Sequence, residues 1–328
     1  MTGTRRWLGC LIGLALHHLA IGQLPTTYAN SPFDAANYLT GPNVTFSNVS
    51  FTGYSDQLRS FGGALSAIGI GEGIVLTTGL ASYAGIDYAE EQLNSHQQYD
   101  NQSGGQHRPV PPNSAVYGDS DLDMINGISS VHNVAILEFD FVSTNTEVVF
   151  DFAFASEEYP EETCCPWNDV IGIFLSGPDI LGTFSNNAVN LALIPGTTVP
   201  VNVNTINSGS ASGLSQCEET DCSDLDPNWQ TNSNYYNHNQ PNTSALAGQF
   251  VYDGFTDVLH AQHAILCNQT YHIKIAICNT RDYNKDSGLF IRAGTIDSPY
   301  PQFLSNLLVT PQPVCEGETL NLSIDGDL

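Results

Sequence analysis

The sequence predicts an all-β protein: a large two-sheet β-sandwich, jelly-roll-like, with long polar loop insertions and one short N-terminal helix. Three observations predict it. Helical periodicity is nearly absent across the 328 residues. Short apolar or alternating runs recur, each bounded by Gly, Asn, Pro or Ser. Hydrophobic residues make up 41% of the chain and charged residues 13%, enough apolar surface for a chain of this size to bury a substantial core.

Along the chain, Arg5 and Arg6 precede a mostly apolar run, Trp7 to Ile21, that ends in the small-x-small sequence Ala20-Ile21-Gly22. Residues 1–22 therefore read as a secretory signal peptide cleaved before Gln23. The run is shorter than the roughly 20 residues needed to span a hydrocarbon core, and no later stretch is long enough to cross a membrane. Pro32 to Leu39 reads as a short helix, with Ser31 as N-cap and Pro32 in the first turn. Val44 to Phe51 and Gly73 to Thr78 read as strands. Residues 83–120, rich in Gln, Asn, Ser and Gly, read as a long loop.

Val134 to Ala155 reads as a hairpin turning at Ser143 to Thr146. Ala135, Leu137, Phe139 and Phe141 share one face of its first strand; Val148, Phe150, Phe152 and Phe154 share one face of its second. The hairpin register sets Phe139 opposite Phe150 and Phe141 opposite Val148, and also Glu138 opposite Asp151 with Asp140 nearby. Like charges so placed repel unless water or a cation intervenes, and solvation is the expected remedy. Further strands are expected at Val170–Ser176, Val189–Ile194, Val199–Val203, Gln249–Tyr252, Thr256–Gln262, Tyr271–Cys278 and Leu289–Ile296. Asn207 to Ala245 is a polar insertion. Residues 23–298 thus form one domain and residues 299–313, opening on Pro299-Tyr-Pro301, a stiff linker. Residues 314–328 resemble the opening strands of an immunoglobulin-like or PKD-like repeat. The repeat does not close before Leu328, so a longer protein is expected, with the partner of Cys315 beyond this sequence.

Charge excludes some functions. Eight Lys+Arg stand against 34 Asp+Glu, a net charge of −26, which repels nucleic acid and anionic lipid. Solubility accounts for most of that acidity, and divalent-cation binding is the sharper use of a few residues. Seven cysteines follow the leader. In an exported chain they read as disulfides. Cys217 and Cys222 flank an acidic turn and are expected to pair locally; Cys164, Cys165, Cys267 and Cys278 could make two longer bridges of open connectivity. No C-x-x-C pair occurs, which argues against zinc.

Six blocks carry a resemblance: Phe154–Glu161 (Phe-Ala-Ser-Glu-Glu-Tyr-Pro-Glu), Trp167–Pro178, Asn190–Thr197, Tyr252–Leu259, Cys267–Ile277 and Asp286–Phe290. In this order they resemble the choice-of-anchor L domain of bacterial secreted and cell-surface proteins, over nearly all of residues 30–297. The resemblance implies an exported, surface-associated domain. In Bacteroidetes-type members immunoglobulin-like repeats and a type IX secretion signal often follow. It supplies no catalytic residue. The vicinal Cys164-Cys165, the extra Cys278 and the Cys-containing insertion depart from the usual pattern and leave the disulfide scheme open.

Candidate chemistry centres on oxygen ligands. Glu157 and Glu158 are adjacent, so in a strand they point to opposite faces and make a poor acid/base couple for glycoside hydrolysis. If the chain turns there, both could approach one cation, with Asn168 and Asp169 as a second oxygen-rich spot. Asp282-x-Asn284-x-Asp286 has the spacing of a calcium loop, but its glycine falls one position late and Ala293 stands where a bidentate Glu is needed. Asp119-x-Asp121-x-Asp123 has the same spacing and no glycine. Each cluster alone is also explained by a solvated turn or an Asx-turn. The expected metal set is Glu157, Glu158, Asn168, Asp169, Asp282 and Asp286, and the expected ion Ca²⁺. Trp229, Tyr235 and Tyr236 could stack on sugar rings or simply pack. No G-x-S-x-G elbow occurs, and Gly69-x-Gly71-x-Gly73 lacks the context of a phosphate loop. Two functions from different classes remain. One is a non-catalytic adhesion or ligand-binding module whose partner is a carbohydrate or another surface protein. The other is a secreted hydrolase with a divergent carboxylate site.

Overall fold

The computed structural model describes residues 26–27, 31–41, 43–62, 68–84, 116–127, 131–214, 217, 221–239, 251–281 and 285–296. The expected signal peptide, the linker, the 314–328 segment with Cys315, and most of the 83–120 loop lie outside these residues. In chain order the elements are β1 (Thr26–Thr27), α1 (Pro32–Leu39), β2 (Val44–Thr52), β3 (Leu58–Phe61), β4 (Gly73–Thr77), α2 (Ser120–Asn126), β5 (Val131–Ser143) and β6 (Glu147–Ser156). They continue with β7 (Val170–Ser176), β8 (Val189–Asn190), β9 (Tyr236–His238), β10 (Gly254–Thr256), β11 (Leu259–Ala264), β12 (Thr270–Thr280) and β13 (Ser287–Arg292).

The strands form two antiparallel sheets. An eight-stranded sheet runs β1-β3-β4-β13-β6-β10-β9, with β11 also paired to β6; a five-stranded sheet runs β2-β5-β12-β7-β8. The core lies between them because each long strand alternates. Leu137, Phe139 and Phe141 of β5, Ile273, Ile275 and Ile277 of β12 and Ile171 and Ile173 of β7 face Phe150, Phe152 and Phe154 of β6 and Leu289 and Ile291 of β13 in one buried cluster. The all-β sandwich read from the sequence is the observed fold. Two smaller clusters cover outer faces: one around Phe61, Val75, Phe255 and Phe290 on the larger sheet, one around Leu122, Ile136, Phe174 and Cys278 under α2 on the smaller.

The expected hairpin is not one. β5 pairs with β2 and β12, whereas β6 pairs with β10, β11 and β13. Residues 144–146 therefore carry the chain from one sheet to the other. Both apolar faces were assigned correctly, but they meet across the core instead of side by side. A period-two pattern fixes which face is buried and says nothing about which strand lies alongside.

The same correction removes the clash between Glu138 and Asp151. Glu138 sits opposite Lys274 and Asp140 opposite His272, while Asp151 sits opposite His260 in the other sheet. Basic residues on β11 and β12 face these carboxylates, as favourable cross-strand pairing requires.

α1 forms as read. The Ser31 hydroxyl accepts from the Asp34 amide at 3.2 Å, Pro32 opens the helix, and Ala35, Ala36 and Leu39 are buried against the sandwich. α2 was missed. The Asp119 carboxylate accepts from the amides of Asp121 and Leu122, and Gly127, at φ 69°, ends the helix in the left-handed conformation. The Asp-x-Asp-x-Asp spacing is thus an N-cap followed by an acidic first turn, which the helix dipole favours. β3 was also missed. Val189–Ile194 shortens to β8, and Val199–Val203 makes only isolated bridges, including Val170 with Asn202. The Thr256–Gln262 strand divides into β10 and β11, and residues 251–252 before them are not strand. The polar insertion is structured where described: it contributes β9 to the edge of the larger sheet.

Phe152 lies at the centre of the main core with no exposure. Replacing it by Ala is expected to cost about 3–5 kcal/mol in urea-monitored unfolding. Leu181→Ala, at a position 89% exposed, is expected to stay within about 0.5 kcal/mol.

Candidate functional site

The oxygen-rich residues singled out in the sequence gather at one end of the sandwich. Glu157 and Glu158 follow β6 of the larger sheet, Asp169 immediately precedes β7 of the smaller, and Asp286 immediately precedes β13 of the larger. All four are buried, as is Asn168. Asp282 lies outside the described residues.

These side chains form a polar knot that joins the sheets. One Asp169 carboxylate oxygen accepts from the Thr280 amide at 3.0 Å and the other from the Ser287 hydroxyl at 2.7 Å. Ser287 also contacts the Ser156 hydroxyl at 2.8 Å. Glu158 accepts from the Asp169 amide at 3.2 Å, and Glu157 from the Asp286 amide at 2.9 Å. The adjacent glutamates therefore reach to different strands. Asn168 works beside them: its side-chain oxygen accepts from the Asn204 amide, and its backbone carbonyl from the Thr280 hydroxyl. Gly79 leaves the space for Asp286, since a Cβ there would lie 1.8 Å from the carboxylate.

The donor set is chemically suited to a hard cation. Among the described residues, however, no three His, Cys, Asp or Glu side chains group in the manner of a metal centre.

Two disulfides clamp the loop between β6 and β7 onto the insertion. Cys164 pairs with Cys222 and Cys165 with Cys217. The expected local Cys217–Cys222 bridge is therefore wrong. The vicinal cysteines each take one cysteine of the insertion, and Asn204, three residues before it, bonds to the backbone of both. Its side-chain oxygen accepts from the Cys164 amide, and its side-chain nitrogen donates to the Cys165 carbonyl. Trp229 packs on the Cys164–Cys222 bridge, and Tyr236 on Tyr159 with ring centroids 5.0 Å apart. These two aromatics pack within the domain. Cys267 is disulfide-bonded. Cys278 is a free, buried thiol, which corrects its expected place in a bridge. It lies under α2, and burial, with Asp169 adding to it, pushes its pKa well up, so it is held as an unreactive thiol.

A cavity of about 250 Å³ opens on the outer face of the smaller sheet. Asp119, Asp121, Glu138, Phe174, Ser176, Ser185, His272 and Lys274 are among its walls. The Lys274 ammonium lies 2.6 Å from Asp119 and 2.9 Å from Asp121, over the Phe174 ring. Burial alone would lower its pKa; the bonds it donates to the two aspartates outweigh burial and raise it. For Asp121 burial opposes ionisation, and the bonds from Lys274 and Ser185 win, so its pKa is lowered. Sequence reasoning saw these acids separately and missed the cavity, because only α2 and the β5–β12 register bring them to one place.

A family model described as the choice-of-anchor L domain matches residues 34–297. The chain belongs to the choice-of-anchor L domain family. No curated protein and no solved structure matches it. The knot draws on the first, second and last of the six sequence blocks, so the stretches that carry the family resemblance are those that tie this choice-of-anchor L domain together at one end. Membership points to a cell-surface or secreted module. Among the described residues no helix is long and apolar enough to cross a membrane.

Two outcomes check this geometry. Digestion at aspartate without reduction should leave the Cys217 and the Cys222 peptides each attached to the Cys164–Cys165 peptide; a Cys217–Cys222 peptide by itself would contradict the pairing. Asp169→Asn replaces one acceptor by a donor facing a buried donor and is expected to cost at least about 1 kcal/mol in denaturant unfolding.

Proposed function

We propose that this choice-of-anchor L domain is a non-catalytic extracellular module that binds a ligand at the cell surface, a carbohydrate or another surface protein. Membership in the family over residues 34–297 carries the proposal. Burial of the tempting acid pair supports it. Glu157 and Glu158 are 3% and 0% exposed and accept hydrogen bonds from the backbone amides of Asp286 and Asp169, which precede different strands. A general acid and its partner must instead reach one scissile bond. The net charge of −26 keeps nucleic acid off the list of partners.

We further propose that Ca²⁺ stabilises the end of the sandwich where Glu157, Glu158, Asn168, Asp169 and Asp286 meet. What supports this is the burial of these oxygen-bearing side chains at one end of the sandwich and their chemistry, which suits a hard divalent cation.

Binding to a glycan array with and without Ca²⁺, run beside a polysaccharide hydrolysis screen, tests the function. Binding without turnover is the expected result, and turnover would establish the hydrolase instead. The melting temperature in millimolar Ca²⁺ is expected to exceed that in EDTA; identical curves would remove the calcium proposal and leave the binding proposal standing.

A further inference from the structure

We propose that Glu138, Asp140 and His272 form an acid-strengthened clasp on the outer face of the five-stranded sheet. The geometry rests on register. His272 of β12 lies directly opposite Asp140 of β5 and opposite Ser176 of β7. Its Nδ1 is 2.8 Å from Asp140 and its Nε2 3.4 Å from Glu138. The imidazole thus stands between two carboxylates, one at each ring nitrogen.

A neutral imidazole cannot satisfy both. One nitrogen carries a proton and the other a lone pair. Whichever tautomer forms, a lone pair faces a carboxylate and the two acceptors repel. Protonation turns both nitrogens into donors, and the one-sided contact becomes a two-sided clamp. The clamp spans residues two apart on β5 and fixes β12 against it. It also reaches the edge strand, because the Asn48 amide donates to the second Asp140 oxygen at 2.6 Å. Asn48 sits in the left-handed conformation, at φ 54°, within the β2 irregularity between Ser47 and Ser50. The clasp therefore joins β2, β5 and β12 beside the cavity.

The surrounding charges come from two elements. Lys274, the next outward residue on β12, is engaged by Asp119 and Asp121 from the start of α2. Asp121 lies near enough to disfavour the Glu138 charge. β2 and β7 contribute only the neutral Asn48 and Ser176. Lys274 satisfies the α2 acids, so His272 is the cation that answers Glu138 and Asp140 most directly.

The directions of titration agree with the geometry. The bond to Glu138, opposed by burial and aided by Asp140, raises the His272 pKa. The bond from His272, opposed by burial, lowers that of Glu138. Burial opposes the lowering at Asp140, where Asn48 and His272 prevail. A raised histidine contributes stability that is fully present below its unfolded value near 6.5 and is lost as pH rises through its folded value. The lowered carboxylates contribute stability present above their unfolded values, near 4, and lost as pH falls through their folded values. The clasp is therefore closed in mildly acidic medium and loosens as pH rises through the raised His272 value.

The experiment uses the full chain and follows the His272 ring proton by NMR beside denaturant unfolding at several pH values. In the native sequence His272 is expected to titrate above the ordinary histidine value, and Glu138→Gln is expected to lower that midpoint by roughly half a unit or more. The stability difference between the native chain and His272→Gln is expected to shrink as pH rises from 6 to about 9. A His272 midpoint at or below the ordinary value, or one unmoved by Glu138→Gln, would overturn the clasp. So would a stability difference independent of pH, which marks a role in packing alone.

Discussion

Asp169 accepts from Thr280 of the five-stranded sheet and from Ser287 of the eight-stranded sheet, and the closure of the sandwich depends on that double contact. A carboxyl group inside protein is tolerated only where hydrogen bonds replace its water. Both Asp169 oxygens are so engaged, and the donors come from opposite layers. The sheets at this end are consequently held at the spacing that the carboxylate dictates. The neighbouring acids fall into place around it. Glu158 reaches the Asp169 amide and Glu157 the Asp286 amide, so the two strands that supply them cannot slide without breaking a buried polar bond, a costly event.

From this tie the loop between β6 and β7 takes its course. It leaves the knot at Glu158 and re-enters it at Asn168, and between these points Cys164 and Cys165 reach out to the insertion. Two disulfides side by side, with Asn204 bonded to the backbone of both cysteines, make the insertion part of the fold. The bridges close nested chain loops, with separations of 58 and 52 residues; the first to form contributes of order 4 kcal/mol in the chain-entropy model, and the second, closing a short loop beside it, adds less. A polar stretch that could not bury a core of its own is in this way held against the end of the sandwich.

The outer face of the smaller sheet follows a different economy. A chain with 34 Asp+Glu against eight Lys+Arg and nine His has few cations to spare, and it places His272 and Lys274 at successive outward positions of one strand. Each answers a pair of acids: His272 meets Glu138 and Asp140, and Lys274 meets Asp119 and Asp121. One pair of acids lies on the neighbouring strand, the other caps a helix, and β12 joins them. The strand thereby organises both the core, through its inward isoleucines, and the charged surface around the cavity.

Much of this was determined by the sequence alone. Alternating residues settled the fold class and the buried face of each long strand, and the full extent of β7 was legible as Val170–Ser176, since period-two burial is local information. The Ser31 cap and Pro32 marked α1 for the same reason. The candidate residues around Glu157, Asn168, Asp169 and Asp286 were legible as a chemical type, though not as a knot between sheets. Only the tertiary structure decided which strands lie side by side. Phe139 and Phe150 have equally apolar faces whether they pair in one sheet or meet across the core, so the pattern could not tell a hairpin from a sheet-to-sheet crossing. Four cysteines permit three pairings, and the one adopted follows from how the loop and the insertion come together in space, including the contact of Asn204, 39 residues or more away, with the backbone of both vicinal cysteines, which spacing does not reveal. The acids on β5 and at the start of α2 likewise gained their meaning only when β12 brought His272 and Lys274 beside them, because charge complementarity between distant segments exists only after the chain has chosen its neighbours.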